Sequence, residues 1–266
     1  MTNIERNIEL LNEYYDKIYV IIIERNIQER LDKINESLKG LKFELFKGVD
    51  GRLLSETEKA EIYNHQKSST SMDDYFRFRY HKSDLSGLNI GNIGCSKSHT
   101  NIYKDMIRND YKKILVLEDD ARFDGKNCGL ISSILEAIPQ DTDLFYWGYR
   151  WYDCESFLSR LKRKYIIPLC LFLKKKDVNQ YILENRIKYP RKYKKNIWHA
   201  GFHAGTHAYA INQETAKKVL AVNDPVIFAA DSALSYLVKN KKIKAYIAVP
   251  MIFREDQSLT SSILYS

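Results

Sequence analysis

Leu115-Val116-Leu117-Glu118-Asp119-Asp120 decides how this chain reads: a short apolar run stops abruptly in three consecutive carboxylates. Apolar runs of that length read as buried strands. In open α/β sheets, ligands gather where strands end at their carboxyl side. Three adjacent acids repel one another unless a cation or hydrogen-bond donors sit among them. Hard oxygen ligands suit Mg²⁺ or Mn²⁺, so a divalent ion gripping a nucleotide diphosphate is the economical reading. A solvent-facing strand end, followed by a turn at Asp124-Gly125, is the plain alternative.

Working outward, Lys17-Ile18-Tyr19-Val20-Ile21-Ile22-Ile23 is a β-branched run typical of a central parallel strand. Ile27, Leu31, Ile34, Leu38 and Leu41 then recur at helical spacing, with Gly40 marking the helix end. Phe43 to Val49 alternates like a second strand and closes at Asp50-Gly51. Strand, helix, strand is the opening of a nucleotide-binding α/β unit. Residues 1–16 read as a short polar helix or a frayed end, and 52–88 as irregular, with a tip at Ser68-Ser69-Thr70-Ser71. Beyond them the pattern predicts helices over 96–107, 131–138, 213–222 and 231–239, and strands over 112–117, 143–147, 205–211 and 243–249. The sum is one α/β domain over 1–266, its central mixed, mostly parallel sheet flanked by helices. A basic insert or lid at about 148–196 has no definable elements.

At 44% hydrophobic and 29% charged residues, the 266-residue composition is that of a soluble globular protein. No run of about twenty apolar residues predicts a membrane span, and the polar N-terminus lacks the apolar core of a signal peptide. Cys95, Cys128, Cys154 and Cys170 form no CxxC pair and no metal-ligand spacing. Free thiols in a reducing compartment, the cytoplasm, are therefore expected. The formal charge is +8, yet thirteen Lys/Arg against Asp177 and Glu184 crowd into 160–195, leaving the rest net negative. With Tyr165 to Leu173 inside that stretch, it suits either peripheral contact with an anionic membrane or a buried strand edged by solvated lysines. Nucleic acid is not expected, because no zinc-finger, RRM or P-loop pattern accompanies the charge.

Four blocks together resemble glycosyltransferase family 25, the lipooligosaccharide galactosyltransferase type related to collagen galactosyltransferases. They are Tyr19 to Arg25 with Arg30 and Phe43 to Gly51; Gly94-Cys95-Ser96-Lys97-Ser98-His99 with Leu115 to Ala121; Gly205 to Ile211 with Ala216 and Lys217; and Asp231 with Pro250 to Phe253, Gln257 and Ser261. The resemblance implies a GT-A-like fold, a nucleotide-sugar donor (most often UDP-galactose), a glycan acceptor and inversion at the anomeric carbon. It also implies Mn²⁺ or Mg²⁺ held by Asp119 and Asp120, and a donor site drawn from Ile21, Arg25, Arg30, Asp50, Ser98, His99, Asp119 and Thr206. Lipooligosaccharide or another cell-surface glycan would be the product. One departure is Ile22, where relatives carry Asn.

Each residue also has a plainer reading. Arginine forks match diphosphate oxygens at a helix start, but Arg30 could instead pair with Glu29 or Asp32. Asp50 either meets the nucleotide or forms the turn. His99 either lines the site or packs, and Glu118 points to the face opposite Asp119 by strand alternation. Asp231 is the candidate base that deprotonates the acceptor, or else a helix N-cap. His199, His203 and His207 recur every fourth residue, the spacing of a helical metal face, although Gly201 and Gly205 argue against a helix. Trp198 and Trp151 either stack on a sugar or pack. Two rival functions are a non-catalytic sugar-binding protein and a metal-dependent phosphodiesterase.

Overall fold

The computed structural model describes residues 2–64, 88–150, 190–201 and 203–256, with isolated positions 161, 165, 166, 169 and 258. The tip at 68–71, Trp151, Gln257, Ser261 and most of the basic insert lie outside the described residues.

Among the described residues there are ten strands: β1 (Lys17–Ile22), β2 (Glu44–Lys47), β3 (Lys113–Glu118), β4 (Ala121–Phe123), β5 (Leu144–Arg150), β6 (Arg191–Lys194), β7 (Ile197–His199), β8 (Ala204–Asn212), β9 (Ala245–Ala248) and β10 (Phe253–Glu255). Seven α-helices accompany them among the described residues: α1 (Asn3–Tyr14), α2 (Ile27–Ser37), α3 (Glu56–Ile62), α4 (Ile90–Arg108), α5 (Ile131–Ala137), α6 (Gln213–Asn223) and α7 (Ala230–Lys239). Eight strands form one sheet in the order β2-β1-β3-β8-β5-β9-β7-β6, and β4 pairs with β10 in a separate ribbon.

The expectation of a mixed α/β sheet between helices holds, with one correction to "mostly parallel". Six of the eight strands run one way, but β8 and β7 run the other, and each sits between two partners. Every reversed interior strand makes two antiparallel pairings, so these outnumber the parallel ones by four to three.

Alternation along the strands feeds two cores. Ile18, Val20, Ile22, Leu115, Leu117, Phe145 and Trp147 meet Leu11 of α1, Ile34 of α2 and Ile134 of α5 on one face. Tyr19, Ile114, Val116, Tyr146 and Tyr209 meet Tyr103 of α4, Val219 of α6 and Leu237 of α7 on the other. Each fully buried aliphatic side chain contributes about 1.5–3 kcal/mol.

Local signals set the element ends. Of the alternatives for the N-terminal stretch, the helix is seen, over Asn3–Tyr14, because Thr2 and Glu5 form a reciprocal capping box and Ile8 and Leu11 are buried. The stretch read as irregular holds α3, started by a second box at Ser55 and Glu58. Gly40, at φ +91°, ends the α2 turn in a backbone region that favours glycine.

Candidate active site

β1 leads outward to β2 on one side, and the chain later returns to add β3 on the other. Such a reversal opens a crevice at the carboxyl ends of the strands. Here it is a solvent-open cleft of about 650 Å³, lined by Ile21, Arg25, Arg30, Asp50, Asp119 and Asp120 among others.

Its side wall is the start of α4, brought unusually close to the loop after β2. A Cβ added to Gly94 would lie 2.6 Å from the Gly51 nitrogen and the Val49 oxygen, so only glycine permits this approach. Ser98 fastens the contact: its hydroxyl accepts from the Val49 N–H at 2.8 Å and donates to the Gly94 carbonyl at 2.8 Å. Ser98 lines the cleft, with its hydrogen-bonding capacity directed to the backbone.

The arginines do not take the plain pairings. Buried Arg30 reaches across to Asp119 (Nη1 to Oδ1, 2.6 Å) rather than to Glu29 or Asp32. Arg25 pairs with Asp50 at 3.1 Å on the cleft rim. Asp50 also accepts from the Arg52 N–H at 3.1 Å, so it lines the cleft and forms the turn at once.

Glu118 is corrected. Strand alternation placed it opposite Asp119, yet both line the same cleft. β3 ends at Glu118 and the chain turns at Asp119-Asp120, so the two-residue period no longer applies. Thr206 donates its hydroxyl to Glu118 Oε1, and His99 Nε2 lies 3.6 Å from the same oxygen. His99 is both packed and cleft-lining: its Nδ1 meets the Tyr209 hydroxyl at 2.7 Å, which meets the Tyr103 hydroxyl at 2.6 Å.

The three acids differ in charge state. Burial alone would raise Glu118, but His99 and Thr206 outweigh it and hold the carboxyl below its usual range. Asp119 is raised, chiefly by burial, with Arg30 offsetting only part. Asp120 is pushed up to about 7 by burial, then by the charges of Glu118 and Asp119. Its Oδ1 is buried without a hydrogen-bond partner. A divalent cation would satisfy that oxygen and relieve the repulsion, so this hard-oxygen site fits Mn²⁺ or Mg²⁺. Asp120 is the open ligand, whereas Asp119 already holds Arg30.

Asp231 is not the N-cap of α7. Ala229 holds that position, and Asp231, in the first turn, accepts from the Gly205 N–H at 3.1 Å. Burial raises its pKa despite that bond and those from Ser232, and the Glu118 charge raises it further. It lies outside the residues lining the cleft.

The three histidines make no joint site. His199 on β7 packs edge-on against Tyr193 and at a tilt against Tyr246, while His203 accepts from the Gly201 N–H and packs on Tyr149. His207 on β8 is buried, and desolvation lowers its pKa to about 4. Trp198 packs against the second core. Ile22 is buried in the first core, so the position of the family Asn faces away from the cleft that Ile21 lines.

Sequence spacing missed one constellation. Cys95, His99 and Glu118 bring a sulfur, a nitrogen and an oxygen within 4.8 Å of one another. Attention to cysteine pairs overlooked it, although Cys95 and His99 stand one helical turn apart. Burial, then the surrounding carboxylates, push the Cys95 thiol well above its usual range, which rules it out as a ready nucleophile.

Comparison with known proteins bears on the family. A model of glycosyltransferase family 25, described as an LPS biosynthesis protein, matches residues 15–234. A glycosyltransferase 25 family member of Drosophila melanogaster is 27% identical over 211 residues, covering 77% of this chain and 28% of that protein. Procollagen galactosyltransferase 2 of Mus musculus is 27% identical over 139 residues, 50% of this chain and 21% of that one. A family member of Anopheles gambiae is 34% identical over 108 residues, 40% and 17% respectively. This chain thus spans under a third of the length of these relatives. With the match covering most of its length, the chain belongs to glycosyltransferase family 25.

Proposed function

We propose that the cleft binds a UDP-hexose, with galactose the favoured sugar, and transfers it with inversion to a glycan acceptor in a reaction dependent on Mn²⁺ or Mg²⁺. The observation that carries this reading is the pairing of Asp120, with its buried, partnerless oxygen, and the Arg30–Asp119 contact at the switch point of the sheet. Galactose is favoured by the relatives named as galactosyltransferases.

Departure of a nucleoside diphosphate leaves negative charge that must be neutralised. A cation on Asp120 would supply part of that neutralisation when bound. Arg30, oriented by Asp119, and Arg25 at the rim supply fixed positive charge to the phosphate oxygens. Ile21 and the loop pinned by Ser98 shape one wall against which the donor would lie.

Asp231 fits the base on chemical grounds, since a raised carboxyl accepts a proton more readily near neutral pH than Glu118, which is held low. In this reading the acceptor enters beyond Glu118, on the Asp231 side. Asp231→Asn would then abolish transfer while sparing donor binding. A variant that transfers at the wild-type rate would remove Asp231 from the mechanism.

The same reading places the protein at the cytoplasmic face of an anionic membrane. Tyr165, Ile166 and Leu169 are exposed within the basic stretch, and exposed cations continue through residues 191–195. The acceptor would be a lipid-linked glycan such as a lipooligosaccharide. Flotation with anionic vesicles should exceed that with zwitterionic ones; equal recovery would refute the membrane contact.

A further inference from the structure

We propose that Cys95, His99 and Glu118 form a binding site for a soft divalent cation of the zinc class, separate from the Asp119–Asp120 carboxylates. α4 sets Cys95 and His99 one turn apart, so both side chains leave the same helix face. β3 delivers Glu118 to meet them, and the three donor atoms lie within 4.8 Å of one another. The His99–Glu118 edge of this triangle is 3.6 Å, at the ligand-to-ligand edge of roughly 3.3–3.6 Å that tetrahedral bonds of about 2.0–2.2 Å require. Binding would draw the Cys95 sulfur in from its place within the same 4.8 Å.

A second observation concerns the imidazole. Metal-binding histidines anchor their other ring nitrogen to a hydrogen-bonding group, which fixes the tautomer and the ring plane. His99 has this anchor: Nδ1 lies 2.7 Å from the buried Tyr209 hydroxyl, which is in turn 2.6 Å from Tyr103. In the tautomer that a bound cation selects, Nδ1–H donates to Tyr209 and Nε2, which otherwise faces Glu118 Oε1 at 3.6 Å, gives its lone pair to the metal.

The local field acts in the same direction. Glu118, Asp231, Asp120 and Asp119 all act electrostatically on Cys95, and four carboxylates that oppose a thiolate attract a dication. On binding, the Cys95 S–H bond breaks, its proton leaves to solvent, and the sulfur electron pair forms the bond to the metal. Sulfur and nitrogen donors prefer zinc-class ions to Mg²⁺ or Mn²⁺, whereas Asp120 offers oxygen only. Because these residues line the cleft, such an ion would compete with the sugar nucleotide. That consequence rests on the proposed function; the binding site does not.

Cobalt(II) is the probe, added anaerobically to the reduced full chain. Wild type should develop a near-ultraviolet sulfur-to-cobalt charge-transfer band at one equivalent, which zinc discharges. Cys95→Ser should abolish the band and His99→Ala should weaken it at least tenfold in affinity, while Cys128→Ser and Asp120→Asn keep it. A wild-type spectrum without the band overturns the site, as does a band that survives in Cys95→Ser. Loss of the band in Asp120→Asn would show that the ion is shared with the aspartates and would overturn a separate site. Circular dichroism of each variant guards against misfolding, and Cys95→Ala provides a second replacement if Cys95→Ser fails to fold.

Discussion

The two ends of the sheet use charge in opposite ways. At β2-β1-β3, parallel strands release their C-terminal loops on one side, and Glu118, Asp119 and Asp120 crowd into a largely buried turn. At β9-β7-β6, antiparallel pairing separates the strand ends, and Arg191, Lys192, Lys194 and Lys195 lie exposed along and just beyond an edge strand. Concentrated buried charge costs stability until a ligand arrives. Charge spread along an edge costs little and discourages edge-to-edge pairing. One end is therefore built to bind, and the other to remain solvated or to meet a diffuse anionic surface.

The most severe way to break this contrast is Asp120→Asn. Sugar transfer should fall by about a thousandfold, the scale of losing a key electrostatic group. The metal-free protein should meanwhile melt at a higher temperature at pH 8, because a strained charge has gone. Calorimetry showing a lower melting temperature would make Asp120 a structural residue instead.

The pH response sharpens the same point. Asp120 binds its proton more tightly in the fold than in the unfolded chain, so its contribution to metal-free stability is greatest when protonated and declines as pH rises from the usual carboxylate range to about 7. Metal binding must displace that proton. Manganese affinity should thus fall by about tenfold per pH unit below 7, whereas a flat titration from pH 5.5 to 7.5 would contradict the shift.

Gly94→Ala tests the scaffold rather than the charge. The added methyl would press on Gly51 and Val49 backbone atoms at 2.6 Å. Overpacking costs about 1–3 kcal/mol, and melting should drop by roughly 2–10 °C. An unchanged melting curve would mean that the α4 contact yields freely. The smallest effect belongs to the far edge: Lys192→Glu with Lys194→Glu should alter stability by less than about 0.5 kcal/mol and leave donor binding intact, but reduce recovery with anionic vesicles. A fall in donor affinity would erase the division between the two ends.

These contrasts also explain what the sequence disclosed. Buried parallel strands such as β1 and β3 are continuous apolar runs, and their acidic endings mark the cleft directly. The partnership of Arg30 with Asp119 was hidden because it spans 89 positions, whereas the eye pairs Arg30 with Glu29 or Asp32. Glu118 was misplaced because the alternation rule ends with the strand, one residue before the turn. β6 and β7 were invisible because four- and three-residue strands carry too few positions for a period. α3 was legible in principle, since Ser55-x-x-Glu58 is a capping box that polar composition disguised, and the box Thr2-x-x-Glu5 favours the helix over the frayed end that the sequence left open for α1.

The account is tested most directly by isothermal titration of the full chain with UDP-galactose and manganese at pH 7.5, beside Asp120→Asn. Wild type should release heat that saturates at one donor per chain and disappears on chelation, and a folded Asp120→Asn should release none. Equal heats from both proteins, or heat that chelation leaves unchanged, would contradict a cation-bridged sugar nucleotide at this cleft.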